Sequence, residues 1–152
     1  MSTIAVAGLG DVAKYVVEEL NALPSPMKIV LLSRESRLWF SQQPNIIFRI
    51  TDYSVSSLIN HLADVDVLIS LIHSNDHFYN DVHEAMIAAC KTSPRCKRFI
   101  PSECGGDIEK YPQHPEFYVP THGAIRKLLE EQNEIEYTLF NQGLVYGLFY
   151  SS

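Results

Sequence analysis

The chain has 152 residues, enough for one domain with a sizeable core, and its 46% apolar and 20% charged residues are the balance of a soluble globular protein. A formal net charge of −6 excludes an electrostatic nucleic-acid binder, because the four basic side chains between Lys91 and Arg98 are interrupted by Pro94 and border an apolar strand. No stretch reaches membrane-spanning length and no basic-then-apolar leader opens the chain, so the expectation is a cytoplasmic protein with no membrane partner, whose Cys90, Cys96 and Cys104 stay reduced.

Ile4–Ala7 is a short apolar run that reads as a strand buried on both faces, and it ends on Gly8 and Gly10. Val12, Tyr15, Val16, Glu19 and Leu20 then fall at helical spacing. Strand, glycine turn and helix form the layout of a dinucleotide-binding crossover. One glycine makes the turn, the next admits a pyrophosphate to the backbone, and Ala13 is small enough to take the third glycine's place. Pro24 and Pro26 stop the helix near Asn21–Ala22. Lys28–Ser33 is the second strand, followed by Arg34 and a polar stretch holding Trp39 and Phe40. An Arg closing this strand pairs with the 2′-phosphate of NADP, where a carboxylate would bind the ribose hydroxyls of NAD; a surface pairing of Arg34 with Glu35 is the alternative.

Ile46–Ile50 reads as the third strand, Ser54 as the N-cap of a short helix, and Val65–Ile72 as the fourth strand. A helix is expected from Phe78 to Cys90 with Phe78, Val82, Ala85, Met86, Ala89 and Cys90 on one face, then a fifth strand over Arg98–Pro101. The three prolines of Tyr111–Pro120 predict irregular chain; Ala124–Glu131 is helical and Ile135–Phe140 a sixth strand. Strands alternating with helices predict one α/β domain over residues 1–152, a doubly wound parallel sheet of Rossmann-like NAD(P)-binding type. Its ligand rim gathers the loops at Gly8–Ala13, Ser33–Arg34, His73–Asn75, Ser102–Gly106 and Asn141–Gly143.

Three other constellations carry less. His73, His77 and His83 lack further ligands for a metal and read as solvent-facing, so no metal site is expected. Tyr118 stands four residues before His122, but Pro120 between them argues against a helix that would stack the two. Phe140, Tyr146, Phe149 and Tyr150 read as an uncovered aromatic edge, available to a second copy or a protein partner.

Gly8–Leu9–Gly10–Asp11–Val12–Ala13, the strand ending in Ser33–Arg34, and the segment from Lys97 through Arg98–Phe99–Ile100–Pro101–Ser102–Glu103–Cys104–Gly105–Gly106–Asp107 to Ile108 together resemble the NmrA-like/isoflavone reductase family, atypical short-chain reductases with fungal members nearest. Ile125–Glu130 with Tyr137–Thr138 resemble the family's later helix and strand. The resemblance implies that Gly8, Leu9, Gly10, Asp11, Val12 and Ala13 hold the pyrophosphate of NADP, that Arg34 holds its 2′-phosphate and that Arg126 helps hold the cofactor. The family's reductases carry a proton-transferring lysine four residues before that arginine, where this chain has His122, itself able to move protons near neutral pH. Cys104 stands where the family has an aromatic residue, and Gln43 where reductase members place a second phosphate-binding lysine.

Family members continue past Gln142–Gly143 into a substrate-binding lobe, so the expectation is a Rossmann core truncated before that lobe. The implied function is an NADP(H)-dependent oxidoreductase reducing a small carbonyl or aromatic, polyketide-like substrate in fungal secondary metabolism. The alternatives are a non-catalytic NADP-binding regulatory module, as in the family's regulatory branch, or an inactive truncated reductase.

Overall fold

A computed structural model describes residues 1–103, 105–111 and 113–141. Cys104, Gln142–Gly143 and the aromatics Tyr146, Phe149 and Tyr150 lie outside the described residues.

The elements in chain order are β1 Ser2–Ala7, α1 Asp11–Ala22, β2 Met27–Ser33, α2 Leu38–Ser41, β3 Ile46–Ile50, α3 Val55–His61, β4 Val67–Ser70, α4 His77–Thr92, β5 Arg98–Ile100, α5 Ala124–Glu130 and β6 Glu136–Tyr137. A 3-10 turn at Glu116–Tyr118 and a π-helical turn at Val119–Gly123 lead into α5. All strand pairs are parallel, in the order β3-β2-β1-β4-β5-β6. This is the doubly wound sheet expected from the sequence, and its order reverses between β1 and β4.

Both faces of β1 and β2 are covered, which is why they read as unbroken apolar runs. Val6, Ile29 and Leu31 face α1 and α2 through Ala13, Val17 and Phe40. Ala5, Ala7, Val30 and Leu32 join a larger core with Leu58, Tyr79, Val82, Met86, Ile125 and Leu129 from α3, α4 and α5. Ser54 caps α3, its side-chain oxygen accepting from the Ser57 amide at 3.3 Å. Among the described residues no helix is long and apolar enough to cross a membrane.

Four local expectations differ from the structure. On α1 the buried residues are Ala13 and Val17, and Tyr15 is 66% exposed. Close packing of Ala13 on the sheet sets the inward face, and a residue two places on points to the far side. The stretch holding Trp39 and Phe40 forms α2, pinned by a fully buried Phe40 with Trp39 edge-on at 4.9 Å. β5 stops at Ile100 because Pro101 has no amide to continue the ladder, and β6 against it keeps only Glu136–Tyr137. Pro120 does not break the helical path: at the start of the π turn its missing N–H would have had no partner in any case.

Leu32 is fully buried in the larger core. Leu32→Ala is expected to cost about 3 kcal/mol, read as a lower urea midpoint at unchanged slope.

Candidate functional site

Beyond the carboxyl ends of β1, β2 and β4 lies a cleft of about 500 Å³. The turn after β1 contributes Gly8, Leu9 and Gly10; the segment after β2 contributes Ser33, Arg34, Glu35 and Arg37; the β4 end contributes Leu71, Ile72 and His73. Tyr53 and Phe78 complete the wall.

The two glycines have different physical reasons. Gly8 sits at φ +89°, and a Cβ there would lie 2.7 Å from the Ile72 amide nitrogen and 2.8 Å from the Leu71 carbonyl carbon. Neither the backbone angle nor the space tolerates a side chain. Gly10 has nothing within 4 Å of an added Cβ, so its bare face opens to the cleft and leaves room for a ligand to reach the backbone. Gly10 also caps α1 without a side-chain hydrogen bond, which leaves first-turn amides available. Asp11 is turned aside into an ion pair with Lys14 at 3.1 Å, Val12 is half-buried, and Ala13 is fully buried against the sheet.

Arg34 lies with its guanidinium 5.2 Å from the centre of the Phe78 ring. The alternative of a pairing with Glu35 is not formed: among the described residues no carboxylate bridges Arg34 or Arg37. Gln43 donates to the Trp39 carbonyl at 3.4 Å and does not line the cleft. Tyr53, which the sequence reading passed over, holds φ +64° and donates its hydroxyl to the Leu32 carbonyl at 2.8 Å. That strained residue ties the end of β3 to β2 directly under the cleft.

His122 and Arg126 belong to a second cluster, behind the loop after β5, and do not line this cleft. The Tyr79 ring is sandwiched between His83 at 4.0 Å and His122 at 4.2 Å, nearly parallel to both. Tyr79 donates to the Ser102 carbonyl at 2.7 Å, and the Ser102 amide donates to His83 Nε2 at 3.4 Å. His83 Nδ1 donates to the Tyr79 carbonyl at 2.7 Å, so this imidazole is neutral with its proton on Nδ1. His122 has the same tautomer: Thr121 gives its one hydroxyl proton to the Phe117 carbonyl and therefore accepts from His122 Nδ1 at 3.0 Å. Nε2 of His122 is left with its lone pair. Burial pushes His83 down to about 4. Burial, then the charges of His83, His73 and Arg126, push His122 down to about 3. At neutral pH His122 is a neutral hydrogen-bond acceptor, not a resting acid.

Arg126 makes a two-point pair with Glu103, Nε to Oε1 at 3.2 Å and Nη2 to Oε2 at 2.9 Å, and reaches Glu109 at 3.5 Å. Both members of the Glu103 pair are buried, and burial pushes Glu103 up against the pull of Arg126. The pair clamps the loop after β5 to α5.

Two sequence expectations are corrected here. His83 is fully buried, not solvent-facing, because Tyr79, Val82, His83, Met86 and Cys90 share the inward stripe of α4. Tyr118 and His122 do come together, at 4.6 Å between rings, since the helical turn runs through Pro120. Cys90 and Cys96, far from any redox spacing, bring their sulfurs to 3.7 Å as free buried thiols. Among the described residues no group of three or more side chains is placed to hold a metal.

Gly8→Ala is expected to destabilise the fold by ~2 kcal/mol or more through backbone strain and clash, whereas Gly10→Ala is expected to cost under ~1 kcal/mol; thermal melting separates the two. The buried histidines set an acid dependence as well. Their unfolded pKa is about 6.5, so below that value the unfolded chain takes up protons that the folded one refuses. Stability is full above this range and falls as pH drops toward the folded values near 4 and 3, by about 1.4 kcal/mol per pH unit for each group. Glu103, raised by burial, works in the opposite sense. His83→Gln is therefore expected to flatten the fall in stability between pH 6.5 and 5 relative to the parent chain, read from urea unfolding at each pH.

No family model matches the chain. It is 42% identical over 149 residues to a protein named oxidoreductase swnR from Metarhizium robertsii, covering 98% of this chain and 48% of that one. It is 28% identical over 155 residues to phenylcoumaran benzylic ether reductase POP1 of Populus trichocarpa, covering 95% of this chain and 49% of that one. Among solved structures, isoflavone reductase matches with a TM-score of 0.72 at 19% identity, over 97% of this chain and 51% of that one. The leucoanthocyanidin reductase of Vitis vinifera in a binary complex with NADPH matches with a TM-score of 0.68 at 22% identity, over 91% of this chain and 46% of that one. At these identities the solved structures show the fold, and the chain spans about half the length of the curated relatives it matches. The sequence relatives and the sheet order agree with the resemblance carried by the motifs at Gly8–Ala13 and Arg98–Ile108: over nearly its whole length the chain is similar to about half of an oxidoreductase and of a reductase, and it shares the fold of isoflavone reductase.

Proposed function

We propose that the chain binds NADP(H) and serves as the cofactor-holding part of an oxidoreductase that reduces a small carbonyl or aromatic, polyketide-like metabolite in fungal secondary metabolism. The observation that carries this reading is the cleft at the reversal of strand order, where the bare backbone of Gly10 and the guanidinium of Arg34, bridged by no carboxylate among the described residues, share one cavity. Gly8, Leu9, Gly10 and the first turn of α1, from Asp11 through Val12 to Ala13, would hold the pyrophosphate, and Arg34 the 2′-phosphate. The swnR relatives are named oxidoreductases, and the leucoanthocyanidin reductase of this fold carries NADPH. Bound there, the nicotinamide supplies hydride chemistry.

His122 is the candidate proton-handling residue. Thr121 fixes its tautomer, and Nε2 would relay to the substrate oxygen the proton that accompanies hydride delivery to the carbonyl carbon. Arg126 helps from behind by holding Glu103 and the loop after β5. A second reading, a non-catalytic NADP-binding module, is favoured by one observation: a His122 pushed down to about 3 and only 3% exposed is a poor proton donor at neutral pH.

Titration with NADPH and with NADH, followed by nicotinamide fluorescence, tests the cofactor. NADPH is expected to bind more tightly, and Arg34→Ala to weaken it at least about tenfold, the scale of a lost charge-assisted hydrogen bond. Absence of binding by either nucleotide would overturn the proposal. Against a panel of carbonyl substrates, His122→Ala is expected to abolish NADPH oxidation; activity that survives removes His122 from the mechanism, and no turnover in the parent chain favours the binding module.

A further inference from the structure

We propose that Arg37 is a second guanidinium for the cofactor's 2′-phosphate and, with Arg34, sets the preference for NADP(H) over NAD(H). This rests on the NADP(H) reading above. The chain has six arginines. Arg49 is paired with Asp64, Arg95 with Asp66, Arg98 with Glu136 and Arg126 with Glu103. The two with no carboxylate bridge among the described residues are Arg34 and Arg37, and both line the same cleft. Four arginines are spent on holding the fold together, and these two face an open cavity.

The local structure presents Arg37 to that cavity. Its backbone is extended at φ −123° and ψ 127°, and its carbonyl accepts from the Phe40 amide at 3.1 Å and the Ser41 amide at 3.2 Å. Phe40, 1% exposed, anchors that turn in the core. The backbone of Arg37 is thus pinned while its side chain stays exposed. Arg34 is steadied differently, by the Phe78 ring under its guanidinium. Its edge N–H groups remain free to fork a phosphate.

Charge makes the second arginine necessary. Glu35 lines the cleft between the two, so Arg34 and Glu35 alone would present no net charge to a phosphate. Arg37 leaves the pocket with one net positive charge and supplies a second fork for a phosphomonoester whose charge is close to −2 at neutral pH.

The test is a pair of titrations on the full 152-residue chain, with NADPH against NADH and with 2′,5′-ADP against 5′-ADP, in the parent, Arg37→Ala and Arg37→Lys. Arg37→Ala is expected to weaken NADPH and 2′,5′-ADP by tenfold or more, to leave NADH and 5′-ADP within twofold, and to keep the parent melting temperature. Arg37→Lys is expected to restore part of the preference, as a point charge without the fork. Parent-level NADPH binding in Arg37→Ala would overturn the assignment and leave the NADP(H) reading standing, as would an equal loss for NADPH and NADH. A parent chain that binds none of the four probes would overturn the NADP(H) reading, and this assignment with it.

Discussion

The site depends on the approach of Gly8 to the backbone of Leu71 and Ile72. At that point β1 hands over to α1, β4 ends, and the strand order reverses. Because no Cβ fits between the two segments, the turn after β1 and the chain leaving β4 meet backbone to backbone and form a single floor. Ladder hydrogen bonds run up to this contact, ending with the Leu71 amide on the Ala7 carbonyl at 2.7 Å. Gly10, two residues on, is then held where its open face looks into the cleft, and Tyr53 braces the neighbouring edge from below.

The other half of the rim hangs on Tyr79. Its ring separates two imidazoles and its hydroxyl holds the loop after β5 through Ser102. Four supports converge on that loop: Tyr79 and His83 from α4, Arg126 from α5 through Glu103, and the Tyr118 hydroxyl accepting from the Gly106 amide at 3.1 Å. Gly105 must be bare beneath Tyr118, since an added Cβ would overlap the phenol oxygen. In such packing His122 has one tautomer and one protonation state near neutral pH. Burial costs each histidine its charge, and backbone or hydroxyl partners fix where its single proton lies.

Most of the fold was legible because its signals are local. Runs such as Ile29–Leu32 show a two-sided sheet, and Gly8, Gly10 and Ala13 mark the turn that only a Rossmann-like crossover requires. The chemistry of the cleft was half legible. Arg34 could be read from its place after β2, but Arg37 could not, because a one-turn helix anchored by Phe40 decides where it points. Tyr53 carries no pattern, as its role comes from a left-handed backbone that sequence spacing does not reveal. His83 was readable in principle: it falls on the stripe with Tyr79, Val82 and Met86, and a polar residue on such a stripe must find partners inside. The Glu103–Arg126 pair spans 23 positions and the Cys90–Cys96 approach depends on how the chain returns from α4 to β5, so neither has a local signature.

The two faces of the sheet are unequally backed. The face carrying α3, α4 and α5 holds the larger apolar cluster; the face carrying α1 and α2 rests on a small one around Ala13, Val17 and Phe40. Local opening is cheapest where the fewest apolar contacts are lost, so amides of α1 and α2 should exchange with solvent before those of α4. That weaker face also bears the glycine turn and the arginine segment. A nucleotide seated in the cleft touches the closed form alone, and by mass action it would slow exchange on the α1–α2 side far more than on the other. The less stable half of the molecule is thus the half whose order a ligand would control.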